Sequence, residues 1–156
     1  MKYELIEQED THLFRVRALK DFGYVKAGDL GGYVEKEENL SQDGNAWVYG
    51  YAAVSGNARV YDNARVFGNA KVSGNALIHG YAWVSDNAWV SGYALIHGKA
   101  WVSGDARVFG NAEVSGYAWV SGNAWVSGNT WVSGYALIHG NAWVRGDARV
   151  FGGELK

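Results

Sequence analysis

The sequence predicts an all-β solenoid, in which short parallel strands wind as stacked coils around a narrow aliphatic core. Three observations carry this expectation. Residues 44–151 read in sixes without a gap, eighteen copies in all, from Gly44-Asn-Ala-Trp-Val-Tyr49 to Gly146-Asp-Ala-Arg-Val-Phe151. The third place of every copy is Ala or Thr, and the fifth is Val or Ile. The fourth place holds Trp, Arg, Leu or Lys in most copies, and all eight Trp of the chain sit there.

Each part of the consensus Gly-Asn-Ala-x-Val-Ser has a physical reading. From the third place onward the side chains alternate small, variable, aliphatic, variable, which is the period of a strand. Gly followed by Asn, Tyr or Asp marks a turn, because these residues tolerate the positive φ of a tight corner. A six-residue strand and turn cannot bury its own apolar side, whereas stacked coils bury it together. Arg59, Lys71 and Arg107 occupy the fourth place and cannot sit unpaired in a dry core. That place therefore faces outward, and the tryptophans share it.

Composition narrows the function classes. The chain has 156 residues, 22 Gly, no Pro, no Cys and a net charge of −2. Absent Cys excludes a disulfide scaffold, thiolate chemistry and a Cys-ligated zinc site, and fits a cytoplasmic setting. Absent Pro excludes collagen-like and polyproline readings despite the glycine content. No apolar run is long enough to span a bilayer, and no apolar signal segment follows Met1. The charge balance gives no reason to seek nucleic acid, and the glycines form no phosphate-binding motif.

The flanks differ from the repeats. Residues 1–43 carry a net −4 against +2 for the remainder. Phe14, Val16 and Ala18 alternate with Arg15 and Arg17, which predicts a strand. Gly28, Gly31 and Gly32 punctuate the next stretch. Val34 and Leu40, six apart, suggest an imperfect first coil, so the segment reads as an N-terminal cap. Residues 152–156 form a short tail. The last coil is expected to offer unpaired backbone groups, covered by a second subunit or blunted by Glu154 and Lys156.

The order aliphatic, three variable residues, small, variable appears as Val48-Tyr49-Gly50-Tyr51-Ala52-Ala53. It closely resembles the hexapeptide-repeat proteins that fold as a left-handed parallel β-helix. The resemblance implies three hexapeptides per triangular coil and six coils, a prism about 29 Å long. The run Val25-Lys-Ala-Gly-Asp-Leu-Gly-Gly-Tyr-Val34, then Asn39-Leu-Ser41, resembles the lead-in of bacterial and prophage β-helix proteins labelled hexapeptide acyltransferases. A phage origin would place the protein in a virion rather than the cytoplasm.

Three hexapeptides per coil stack residues eighteen apart. The first face then presents Trp47, Arg65, Trp83, Trp101, Trp119 and Leu137, with Tyr81, Tyr117 and Tyr135 at its corners. The second presents Trp89, Trp125 and Trp143 among Ala53, Lys71 and Arg107, and the third carries Trp131 alone. An aromatic patch of this size is expected to be a contact surface. The first expected partner is another copy, since the resemblance implies trimers packed side by side. A glycan or another protein is second. An ice-binding face is third, and Thr is nearly absent, at Thr11 and Thr130 only.

The resemblance also implies an enzymatic alternative, an acyltransferase using acetyl-CoA or another acyl-CoA with a His general base. The candidates are His79, His97 and His139, each closing an Ala-Leu-Ile-His repeat. His79 and His97, eighteen apart, are expected to stack; without a nearby carboxylate they make a poor metal site, and no metal is expected. Such enzymes usually interrupt their repeats with a protruding loop, and these repeats are uninterrupted. The block Gly92–Phe109 recurs at Gly134–Phe151 with sixteen of eighteen positions identical, at an offset of 42. That offset is no multiple of eighteen, so the block lands on different faces. The pattern suits a non-enzymatic scaffold or multivalent surface better than a catalytic constellation. Arg59, Arg65, Arg107 and Arg149 each precede an aromatic by two residues, which places a cation–π pair on one strand face.

Overall fold

The computed structural model describes Met1–Lys156, and the chain is an all-β solenoid of parallel coils. Three strands open it: β1 (Tyr3–Glu7), β2 (Phe14–Ala18) and β3 (Leu30–Val34), joined antiparallel in that order. Each repeat then supplies a two-residue strand from its fourth and fifth places, from Trp47–Val48 to Arg149–Val150. These strands form three sheets, each built from every third repeat, so the cross-section is a triangle. The register offset is eighteen, as in Trp83 opposite Trp101, Trp89 opposite Arg107 and Leu95 opposite Glu113.

Coil stacking begins before the first hexapeptide. Tyr33 and Val34 of β3 pair parallel with Ala53 and Val54, and Leu40 bridges Val60. The expected imperfect first coil is therefore present. At the other end, Glu154–Leu155 adds one more strand beside Leu137–Ile138.

The core is a column of the third-place Ala and fifth-place Val and Ile, nearly all fully buried. Such small side chains suit the space inside a three-cornered coil. The corners need glycine for two reasons. Gly74, for example, has φ +67°, and a Cβ there would lie 2.8 Å from the backbone nitrogen of Gly92 on the next coil. The two corners without glycine, Asp62 and Asp86, hold φ of 60° and 58°. Each compensates by accepting a hydrogen bond from the next coil, Asp62 from the Gly80 N–H at 3.2 Å and Asp86 from the Gly104 N–H at 3.0 Å.

The coils are joined with a polarity. Second-, fourth- and sixth-place N–H groups donate to first-, third- and fifth-place carbonyls of the following coil, as in Tyr51 to Gly68, Ala53 to Ala70 and Ser55 to Val72. The first coil consequently turns carbonyls toward the N-terminal segment, and that segment meets them with donors. The Lys2 ammonium donates to the Ala46 carbonyl at 2.8 Å and the Gly44 carbonyl at 3.3 Å. The Asn39 amide donates to the Ala58 carbonyl at 2.8 Å and the Gly56 carbonyl at 3.1 Å. Main-chain N–H groups of Tyr33 and Glu35 donate to the Ala52 and Val54 carbonyls, and that of Ser41 to the Val60 carbonyl. Where β3 crosses the first coil the fit is tight: a Cβ on Gly31 would come within 2.5 Å of the Val48 carbonyl oxygen.

The cap also removes one residue from the expected aromatic surface. Trp47 faces outward from its coil but is only 1% exposed, covered by Tyr3 and Phe22 with ring centroids 6.1 and 5.2 Å away. Seven of the eight tryptophans remain at the surface, whole or in part.

Candidate functional site

The first face carries a continuous aromatic row. Trp101 and Trp119 are parallel within 3°, their centroids 4.8 Å apart, and Trp83 meets Trp101 edge-on at 5.5 Å. The rings are anchored through the sixth place of the coil before them. The Trp101 indole N–H donates to the Ser85 hydroxyl and that of Trp119 to Ser103, each at 2.8 Å. Both serines are buried beneath the rings. Where the sixth place is Phe, the contact becomes edge-on, as in Phe67 against Trp83 at 5.8 Å. Beside the row, Tyr117 and Tyr135 stack at 4.9 Å, both exposed. Tyr81 is 60% exposed and stacks on no other ring.

The second face is organised differently. Arg107 lies between Trp89 and Trp125, its guanidinium carbon 5.1 and 5.5 Å from the two ring centroids, and Trp143 meets Trp125 edge-on at 5.8 Å. On the third face Arg149 lies over Trp131 at 5.7 Å. These cation–π partners are residues stacked from neighbouring coils, eighteen apart. They are not the Phe or Tyr two places along the same strand, although Arg145 does lie over Trp143 of its own repeat, at 4.1 Å.

The histidines form a second constellation. Tyr61, His79 and His97 stack along one edge, 4.7 and 5.0 Å apart and parallel within 4°. The expected stacking is present, but the expected absence of carboxylates is not. Asp62 lies 3.6 Å from His79 Nδ1, and Glu113 lies 3.1 Å from His97 Nε2. Both acids come from adjacent coils, so the linear spacing hides them. Burial, then the neighbouring His97, lowers the His79 pKa from its ordinary value, against the opposing pull of Asp62 and Glu113. His139 stands apart from this stack and pairs with Glu154 of the tail. Parallel rings do not converge their nitrogen lone pairs on one point.

A groove lies between the first face and the cap. It encloses about 630 Å³ and is lined by Tyr24, Asn63, Arg65, Tyr81, Trp83 and Lys99, among others. Tyr24 projects from a tight turn in which Phe22 and Val25 exchange backbone hydrogen bonds at 2.9 and 2.8 Å. Arg65 lies beneath it, 4.7 Å from the Tyr24 ring centroid and 5.7 Å from that of Trp83. The residue pattern of the repeats could not reveal this groove, since one wall comes from the cap.

Four stretches of the array, residues 52–66, 58–71, 106–122 and 118–134, match the family model described as YdcK beta solenoid repeat. A segment of 42 residues, 27% of the chain, is 38% identical to the protein named "Uncharacterized acetyltransferase YdcK" of Escherichia coli (strain K12). The match spans only 13% of that relative's length. The repeats thus resemble those of β-solenoid proteins that carry an acetyltransferase label.

Proposed function

We propose that the protein is a non-catalytic β-solenoid that binds further copies of itself through the first-face aromatic row. The observation that carries this reading is the anchoring of Trp101 and Trp119. Their only polar atoms are already bonded inward to Ser85 and Ser103, so the rings turn carbon toward solvent in a fixed orientation. Pre-ordered apolar surface loses little side-chain freedom on association. Equivalent faces packed around a symmetry axis give a closed oligomer, and a trimer matches the three-cornered cross-section. Sedimentation velocity tests this: the double variant Trp101→Ala/Trp119→Ala is expected to run as a monomer where the parent runs as an oligomer. Identical sedimentation of the two overturns the reading.

A second reading is an acyl-CoA-dependent acyltransferase, favoured by the pairing of His97 with Glu113 and by the label on the partial relative. A carboxylate that orients an imidazole is the arrangement a general base requires. Saturable acetyl-CoA binding in calorimetry, abolished in His97→Ala, would replace the scaffold reading with this one.

A further inference from the structure

We propose that the groove between the Tyr24 turn and the first face is a binding site for an acidic saccharide, with Arg65 and Lys99 taking its carboxylates. The charge pattern is the first argument. Arg65 and Lys99 line the groove and neither pairs with a carboxylate anywhere in the chain. No Asp or Glu lines it, although acids outnumber bases in the whole sequence. A guanidinium laid against aromatic rings keeps its N–H edge free for a planar anion.

The remaining lining suits sugar rings and hydroxyls. Tyr24 is 80% exposed and Tyr81 60% exposed, and each offers a flat face and a hydroxyl to the groove. Asn45 and Asn63 add side-chain amides, joined to one another at 3.1 Å, that both donate and accept. Asn63 and Arg65 belong to one coil, Tyr81 and Trp83 to the next, and Lys99 to the one after. The two cations are therefore separated by about two coil spacings, roughly 10 Å, along the axis. An extended chain of ring units with repeated negative charge fits such a line better than a compact anion does. The groove is also held open: the Phe22 ring behind Tyr24 packs against buried Trp47, so the turn rests on the core.

Titration calorimetry on the full chain tests this with tetragalacturonate as the acidic probe, cellotetraose as the neutral counterpart and adenosine monophosphate as a phosphate-bearing ring. Tetragalacturonate is expected to bind saturably at millimolar concentration or below and to weaken with added salt. Arg65→Gln and Lys99→Gln are each expected to bind it about tenfold more weakly. The groove shares Trp83 and Trp101 with the first-face row, so the control is Trp125→Ala, on the second face and lining no part of the groove, which is expected to bind as the parent does. Absence of binding overturns the proposal, as does undiminished affinity in Arg65→Gln at unchanged melting temperature. Tighter binding of cellotetraose or adenosine monophosphate than of tetragalacturonate overturns it too.

Discussion

Thr130 is the one repeat residue that replaces Ala at the inward third place, and its hydroxyl is buried without a hydrogen-bond partner. A buried hydroxyl left unsatisfied costs about 1–3 kcal/mol, so Thr130→Val, which keeps the shape, is expected to raise stability by about 1 kcal/mol. Urea unfolding measures this. Asp86 holds a left-handed backbone and accepts from Gly104 on the following coil. Asp86→Ala keeps the backbone strain and loses the acceptor, and is expected to cost about 1–2 kcal/mol. Asp86→Gly loses the acceptor but relieves the strain, so it should fall within about 1 kcal/mol of the parent. At this scale the sequence was readable for the core, since the third place, Ala or Thr, and the fifth, Val or Ile, face inward in every copy. It could not show that Ser85 and Ser103 hold indole rings, because each pair is sixteen residues apart and meets only when coils stack.

The N-terminal segment is the element whose chemistry the coil polarity dictates. A carbonyl-rich first coil calls for donors, and Lys2, Asn39 and the main chain of β3 supply them. Burial lowers the Lys2 pKa to about 8, with Lys20 adding to the effect and Asp43 opposing it. Burial also raises the Tyr3 pKa above its ordinary value, helped by Glu37 and Glu38. The signs of the two effects differ. From about pH 8 upward the folded state has released the Lys2 proton while the unfolded chain keeps it, so stability rises with pH. Above the ordinary tyrosine range, about pH 10, the unfolded chain ionises first at Tyr3 and stability falls again. Melting curves across this interval should show the rise in the parent and lose it in Lys2→Met. The sequence marked this segment as a cap through its charge and glycines. It did not reveal the burial of Trp47, whose repeat position is the same as that of the exposed tryptophans.

For the whole molecule, the unit that matters is the coil of eighteen residues, while the unit of the sequence is six. Deleting residues 98–115, one whole coil, removes Trp101 but brings Trp119 above Trp83 and Ser85, leaving every outward row on its own face. Deleting residues 92–97, a single hexapeptide, keeps the Ala and Val column but moves Trp101 and Trp119 off the first face and sets Arg107 above Trp83. Both deletions are expected to fold, since a repeat array is stabilised by nearest-neighbour interfaces. Only the six-residue deletion is expected to abolish self-association, as read by sedimentation velocity. Loss of association in both would show that the length of the prism, and not the continuity of the row, governs assembly.

The coil is written in the residues of each repeat. Small and aliphatic residues at fixed inward places, with glycine at the corners, leave one way to bury the apolar stripe; the eighteen-residue register is what the family resemblance implied, and the strand pairing shows it. Tertiary structure alone decided what the outside of the coil can do. Whether Trp47 is covered, which acid reaches His97, and whether Arg65 stands under Tyr24 all depend on contacts between coils or with the cap. Burial of the stripe is a local periodic property that each repeat states again. A groove or a paired side chain arises where distant segments meet, and no single repeat carries that information.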